Sequence, residues 1–299
     1  MPEFIKSLSD EFENIYYIEG ERRGGYPYSN SLLIGDYLID TGISSGRIRK
    51  LNRKFEINTV ILSHWHEDHI AGNRMLKNAK FLCHSEDKHI VEDIDKILPY
   101  YGLKTEDFPE FVELLEGFRI KNTKIDRTIE HEEIIEINDL RLKVIHTPGH
   151  TAGHCCFFEE NSRIGFLADI DLTNFGPFYG GIDSSVIDFE ESMDKLQELD
   201  MEIAISGHKG LFQGKKLINE GLDRYKLKIY EYDERILSYL SEKNPLKPDD
   251  LIRKNIIYKR YGLWEAFEIT AEKTMIEKHF EKFLKNKIIE KKNNGYILS

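Results

Sequence analysis

Short apolar runs that end on a polar residue recur through the first two thirds of the chain. Runs rich in Ile, Val, Tyr and Phe at 15–18, 31–34, 37–40, 59–62, 80–83, 133–137, 142–146, 155–159, 164–168 and 203–206 predict ten strands. Between some of them, apolar residues spaced three and four apart predict helices over 44–55, 69–77, 86–98, 106–118, 189–199 and 214–240. Strand–helix alternation mixed with hairpins implies layered sheets covered by helices. The acidic helical stretch 85–118 reads as an insertion that either shapes a site or forms a solvated elaboration.

From about Leu240 the pattern changes. A short helix at 247–253, a longer amphipathic one at 270–285 and a hairpin at 288–298, with Asn294-Gly295 as its turn signal, follow the order of a winged helix. The expected division is a body at 1–240 and a small C-terminal domain at 241–299. Charge sharpens this division. The whole chain carries a net charge of -11, but residues 246–299 hold 12 Lys/Arg against 8 Asp/Glu, a net of +4, which leaves -15 for the rest. A basic tail makes RNA a candidate partner, with packing or dimerisation as the alternative, so a homodimer is a candidate assembly.

Composition excludes other classes. The apolar runs are only a few residues long, far short of the ~20 that cross a bilayer, so no membrane association is expected. The opening Met-Pro-Glu-Phe-Ile-Lys does not resemble a secretion signal, and the expected location is the cytoplasm. The three cysteines, two of them adjacent, make no disulfide framework.

The chemistry lies in the histidines. Ser63-His64-Trp65-His66-Glu67-Asp68-His69 follows the apolar strand at 59–62; with this composition a His-x-His-x-Asp-His string arises by chance about once in a thousand such chains. In extended backbone His64 and His66 project to one side and can hold one cation. Asp68 and His69, on the following turn, can reach a second about 3.5–4 Å away, the spacing of two-metal hydrolytic sites. His146-Thr-Pro-Gly-His-Thr-Ala-Gly-His154 follows the next apolar strand and presents His150 on a Pro-Gly turn. Asp169 and His208 each follow a further strand. Four strand ends thus offer donors suited to zinc, iron or manganese.

This motif series resembles that of the metallo-beta-lactamase fold superfamily, over about residues 10 to 210. The resemblance implies an α/β fold, a four-layer αββα sandwich with the metals at one rim. It implies His64, His66 and His150 as ligands of one metal, Asp68, His69 and His208 as ligands of a second, and Asp169 bridging them. Asp40, in Leu38-Ile-Asp-Thr-Gly42, resembles the aspartate that supports the ligand histidines from behind; the alternative is an ordinary strand-end cap.

Two divalent ions, zinc first and iron or manganese as alternatives, imply a hydrolase using a metal-bridging hydroxide, with Asp68 orienting it and carrying its proton. The second motif is similar to that of the glyoxalase II thioester hydrolases. The loop after Asp169, however, runs Ile-Asp-Leu-Thr-Asn-Phe-Gly-Pro-Phe-Tyr-Gly-Gly181 instead of that family's Gly- and Arg-containing loop, which argues against glutathione. Phe175, Phe178 and Tyr179 are candidate pocket walls. Arg22 and Arg23 are candidate holders of a carboxylate or phosphate. The expected substrate is a small-molecule thioester, ester or lactone. The alternatives are a ribonuclease or phosphodiesterase that uses the basic tail, an iron-dependent sulfur dioxygenase with one metal, and a binding-only sensor.

Overall fold

The computed structural model describes residues 2–8, 14–104, 108–262 and 264–299. The first sheet runs in chain order through β1 (Ile5–Ser7), β2 (Ile15–Ile18), β3 (Ser31–Ile34), β4 (Tyr37–Ile39), β5 (Thr59–Ile61), β6 (Lys80–His84) and β7 (Arg127–Ile129). Its pairings are antiparallel as far as β4 and parallel from there to β7. The second sheet has the order β13 (Gly210–Gln213), β12 (Ile203–Ser206), β11 (Ile164–Ala168), β10 (Cys155–Glu159), β9 (Leu140–His146), β8 (Ile134–Ile137), with β11 and β12 paired in parallel and the other neighbours antiparallel.

Side-chain alternation sorts three cores. On β3, Leu32 and Ile34 point between the sheets and Leu33 points outward; on β5, Ile61 points inward and Val60 outward. The inner core joins Ile39, Ile61 and Leu82 to Val144, Phe157 and Phe166 of the facing sheet. The first sheet's outer face packs under α1 (Ser45–Asn52), α2 (Glu67–Ile70), α3 (Ser85–Val91), α4 (Ile97–Tyr100) and α5 (Pro109–Phe118). The second packs under α6 (Val186–Gln197), α7 (Lys215–Leu237) and α8 (Glu265–Lys285). This is the expected four-layer sandwich.

The departures have local causes. β1, β7 and β13 have no counterpart in the apolar pattern; each has three or four residues and lies at a sheet edge, where no alternation develops. The helix expected at 69–77 stops at Ile70, because the Gly72 N–H donates to Thr41 Oγ1 at 3.1 Å rather than to a helical carbonyl. The start of the helix expected at 106–118 lies outside the described residues, and α5 begins at Pro109. In the tail, 247–253 forms only a 3-10 turn over Pro248–Leu251. Its hairpin, β14 (Ile289–Lys292) and β15 (Gly295–Leu298), turns on Asn293-Asn294, with Gly295 already paired to Lys292.

The apolar face of α8 does not form a core of its own. Met275, Ile276, Phe280 and Phe283 pack with Phe189 and Met193 of α6 and with Tyr232 and Ile236 of α7. Phe280→Ala is expected to destabilise the whole protein by about 3–5 kcal/mol, in a single transition on denaturant titration; a separate low-denaturant step for the tail would contradict the shared core. Among the described residues no helix is long and apolar enough to cross a membrane.

Candidate metal centre

The C-terminal ends of β4, β5, β9, β11 and β12 meet at one rim, where strand ends of a sheet leave a crevice. Asp40, His64 and His66, His150, Asp169 and His208 follow those five strands in turn. His64, His66, His150 and Asp169 form one group of ligand-type atoms, all within 4.8 Å of one another, and Asp68, His69 and His208 form another. Asp169 touches both: its Oδ2 lies 3.1 Å from His150 Nε2, and its Oδ1 lies 2.8 Å from His69 Nε2 and 3.4 Å from His208 Nε2. Asp68 Oδ2 is 3.4 Å from His208 Nε2.

The neighbours of these rings decide which nitrogen carries the proton. His150 Nδ1 donates to Phe178 O at 2.8 Å and His208 Nδ1 to Gly24 O at 2.7 Å, because a carbonyl only accepts. His69 Nδ1 donates to Asp40 Oδ2 at 2.7 Å. The Ser63 hydroxyl spends its proton on Asp40 Oδ2 at 2.6 Å and therefore accepts from His64 Nδ1 at 2.9 Å. With Nδ1 committed in this way, each of the four rings in its neutral form turns an Nε2 lone pair toward the cluster. A cation fits this donor set: His64 Nε2 and His66 Nε2 are buried without a hydrogen-bond partner. Burial pushes His64 and His66 well below the usual histidine range, which keeps them in the neutral, ligating form. Burial pulls His69 and His208 the same way but is outweighed by Asp169 and its acidic neighbours, so both shift upward, His208 to about 10.

Asp40 is the hub behind the cluster. It is fully buried, adopts φ 63, and also accepts the Ser63 N–H at 2.8 Å. Two residues on, a Cβ added to Gly42 would fall 1.5 Å from Asp68 O, so only glycine lets this strand end pass under Asp68. His154, which flanks the second motif, accepts from the Asp169 N–H at 3.3 Å; burial lowers it to about 3.

Other residues of the centre have no sequence signature. Asp87, at the start of α3, is buried and accepts from Trp65 N–H at 3.1 Å, Thr151 Oγ1 at 3.0 Å and Gly153 N–H at 2.8 Å. It thereby ties the loop of His64 and His66 to that of His150. Burial, helped by Asp183, pushes its carboxyl up to about 8. Between about pH 4 and 8 the folded protein keeps a proton there that the unfolded chain releases, so stability falls as pH rises through that window. Asp87→Asn is expected to flatten this slope, by up to about 1.4 kcal/mol per pH unit, in thermal melts across the window. Asp171 is half-buried beside His208, accepting its backbone N–H at 3.0 Å and the Ser206 hydroxyl.

A cavity of about 360 Å³ opens from Asp68, His150, Asp169 and His208. Phe175 and Phe178 line it. Tyr179 does not: it is buried in the core, its hydroxyl 2.7 Å from His279 Nε2, because consecutive residues of the extended loop face opposite ways. Arg22 and Arg23 are also outside the cavity, exposed on a left-handed turn with φ 53 and 61 that faces solvent.

A two-sheet sandwich whose strand ends gather five histidines and two aspartates around shared carboxylate oxygens defines a class of metal-binding proteins. Residues 24–208 match the model of the metallo-beta-lactamase superfamily, and the chain belongs to that superfamily. It is similar to a hydroxyacylglutathione hydrolase of Pelagibacter ubique, 26% identical over 77% of this chain and 85% of that one. An atrochrysone carboxyl ACP thioesterase of Aspergillus fumigatus is 23% identical over 62% and 51% of the two chains. The chain thus has hydrolases among its relatives. It spans between a half and three-fifths of the length of several relatives, 58%, 51% and 50% in three of them. A metallo-beta-lactamase family protein from Thermus thermophilus shares the fold, with a TM-score of 0.68 at 19% identity over 96% of this chain and 93% of that one.

Proposed function

We propose that the protein is a dinuclear metal-dependent hydrolase of a small thioester, ester or lactone. The observation that carries this reading is the set of four histidines whose Nδ1 atoms are held by neighbours and whose Nε2 atoms face the Asp169 carboxylate. His64, His66 and His150 would hold one divalent ion and Asp68, His69 and His208 the other, with Asp169 between them. Zinc is the ion proposed, with iron and manganese also matching the donors. When bound, such ions supply Lewis acidity and a water nucleophile at neutral pH.

The chain's own residues supply the rest. Asp68, buried beside His208, is placed to take the proton of the attacking water and pass it to the leaving thiol or alcohol. Asp40 and Ser63 hold His64 and His69 in the ligating tautomer. The aromatic walls keep bulk water from the reacting carbonyl.

Acyl transfer to water is favoured over phosphodiester cleavage because no described residue lining the cavity is lysine or arginine. Several basic residues of the tail are already paired with acids, Lys273 with Asp249 at 2.9 Å and Lys282 with Asp233 at 2.5 Å. The three cysteines are free and buried, which suits a reducing compartment, and the cytoplasm is the proposed location. Metal analysis combined with a screen of a thioester, a lactone and a bis-aryl phosphodiester tests the reading, with His66→Ala as control. The expected result is about two metals per chain and turnover of an acyl substrate that His66→Ala abolishes. A single iron, or cleavage of the phosphodiester alone, would overturn it.

A further inference from the structure

The walls of the cavity are more specific than the metal cluster at its floor. Much of them comes from outside the motif-bearing strands: Phe111 from α5 in the insertion, Trp264 and Phe267 from the start of α8 in the tail, and Phe178 from the loop after β11. The rings touch one another. Phe267 lies 5.9 Å from Phe111 and 6.2 Å from Phe178, with ring planes 25° and 15° apart. Trp264 stands edge-on to Phe111 at 6.3 Å and to Tyr26 at 6.4 Å. Phe111, Phe267 and Phe178, in near-parallel planes, make a continuous apolar surface that Trp264 meets edge-on.

Of the carboxylates that line the cavity, Asp68 and Asp169 belong to the metal cluster and the other three are committed elsewhere. Glu67 accepts the Tyr26 and Tyr101 hydroxyls, both at 2.8 Å. Asp171 accepts from Ser206 and His208, and Glu268 from the Gly262 N–H. Among the described residues lining the walls none is lysine or arginine, so a carboxylate or phosphate on the acyl group, held away from the metal floor, would lose its hydration unrepaid.

We propose that the acyl group of the substrate is neutral, bulky and apolar, an aryl group fitting best, and that Trp264 and Phe267 of the C-terminal segment set this preference. The proposal rests on the acyl-hydrolase reading above. It gives the tail a role at the active site: the start of α8 completes a pocket that the insertion leaves open on one side.

The test compares acetyl, phenylacetyl and succinyl thioesters of one thiol, N-acetylcysteamine, on the full-length, metal-loaded protein. Phenylacetyl is expected to exceed acetyl by about 10- to 200-fold in kcat/KM, with succinyl below acetyl. Phe267→Ala and Trp264→Ala are each expected to lower the phenylacetyl-to-acetyl ratio by about tenfold, mostly through KM. Metal content and thermal melts identify a variant that merely fails to fold, and the wild-type series stands without the variants. Acetyl turnover with no phenylacetyl preference, or with succinyl leading, overturns the proposal and leaves the hydrolase reading intact. No turnover of these three, nor of phenyl acetate or a lactone, overturns both.

Discussion

Asp40→Asn is expected to lose most of its metal and about 10³-fold or more in activity while keeping its fold, although Asp40 contacts no ligand-type Nε2 atom of the cluster. The carboxylate accepts three hydrogen bonds, from Ser63 N–H, the Ser63 hydroxyl and His69 Nδ1. An amide of the same shape places an N–H₂ donor where Oδ2 now accepts. His69 Nδ1 must then become an acceptor, which moves its proton to Nε2, and the Ser63 hydroxyl must turn to donate to His64 Nδ1, which moves that proton to Nε2 as well. Two of the four lone pairs are replaced by N–H groups. Metal affinity is expected to fall by about 10- to 100-fold, read by metal analysis after dialysis against a weak chelator, with circular dichroism unchanged. Full metal content and wild-type kcat would remove Asp40 from any tautomer-setting role.

Asp169→Ala is the second large effect expected. Its carboxylate is in contact with His150 through one oxygen and with His69 and His208 through the other, and among the described residues no other side chain joins the two ligand groups in this way. On the proposed dinuclear reading, removing it should lower the stoichiometry from two metals per chain to one or fewer. It should also lower kcat by about 10³-fold, because the two ions are then no longer held as a pair. The variant is expected to fold, since Ala168, already at φ 47, and the Asp169 N–H contact to His154 are backbone features that alanine keeps. Retention of two metals with normal turnover would mean that the groups do not share this carboxylate.

The legible part of the molecule was local. The central strands announced themselves because each buries every side chain between two layers, as at Thr59–Ile61 and Ile164–Ala168, and the ligand motifs because they sit on the single turn after such a strand. What remained hidden is tertiary. Asp87 is one acidic residue of a helical stretch until α3 brings it against Trp65, Thr151 and Gly153. Trp264 and Phe267 read as part of a tail because their partners, Phe111 and Phe178, lie far away in sequence. Tyr179 and Phe178 are neighbours with opposite fates, and nothing in the loop's composition says which faces the cavity.

The separation of floor from walls has an evolutionary consequence. The chemistry rests on residues at strand ends whose protons are assigned by buried partners, and a change at any of them disturbs several others. The pocket's shape rests on the first turn of α8 and on α5, whose aromatic side chains make no hydrogen bond to those residues. If the proposed acyl hydrolysis holds, such a chain can exchange one acyl preference for another by substitutions at a few aromatic positions while the reaction itself is inherited unaltered.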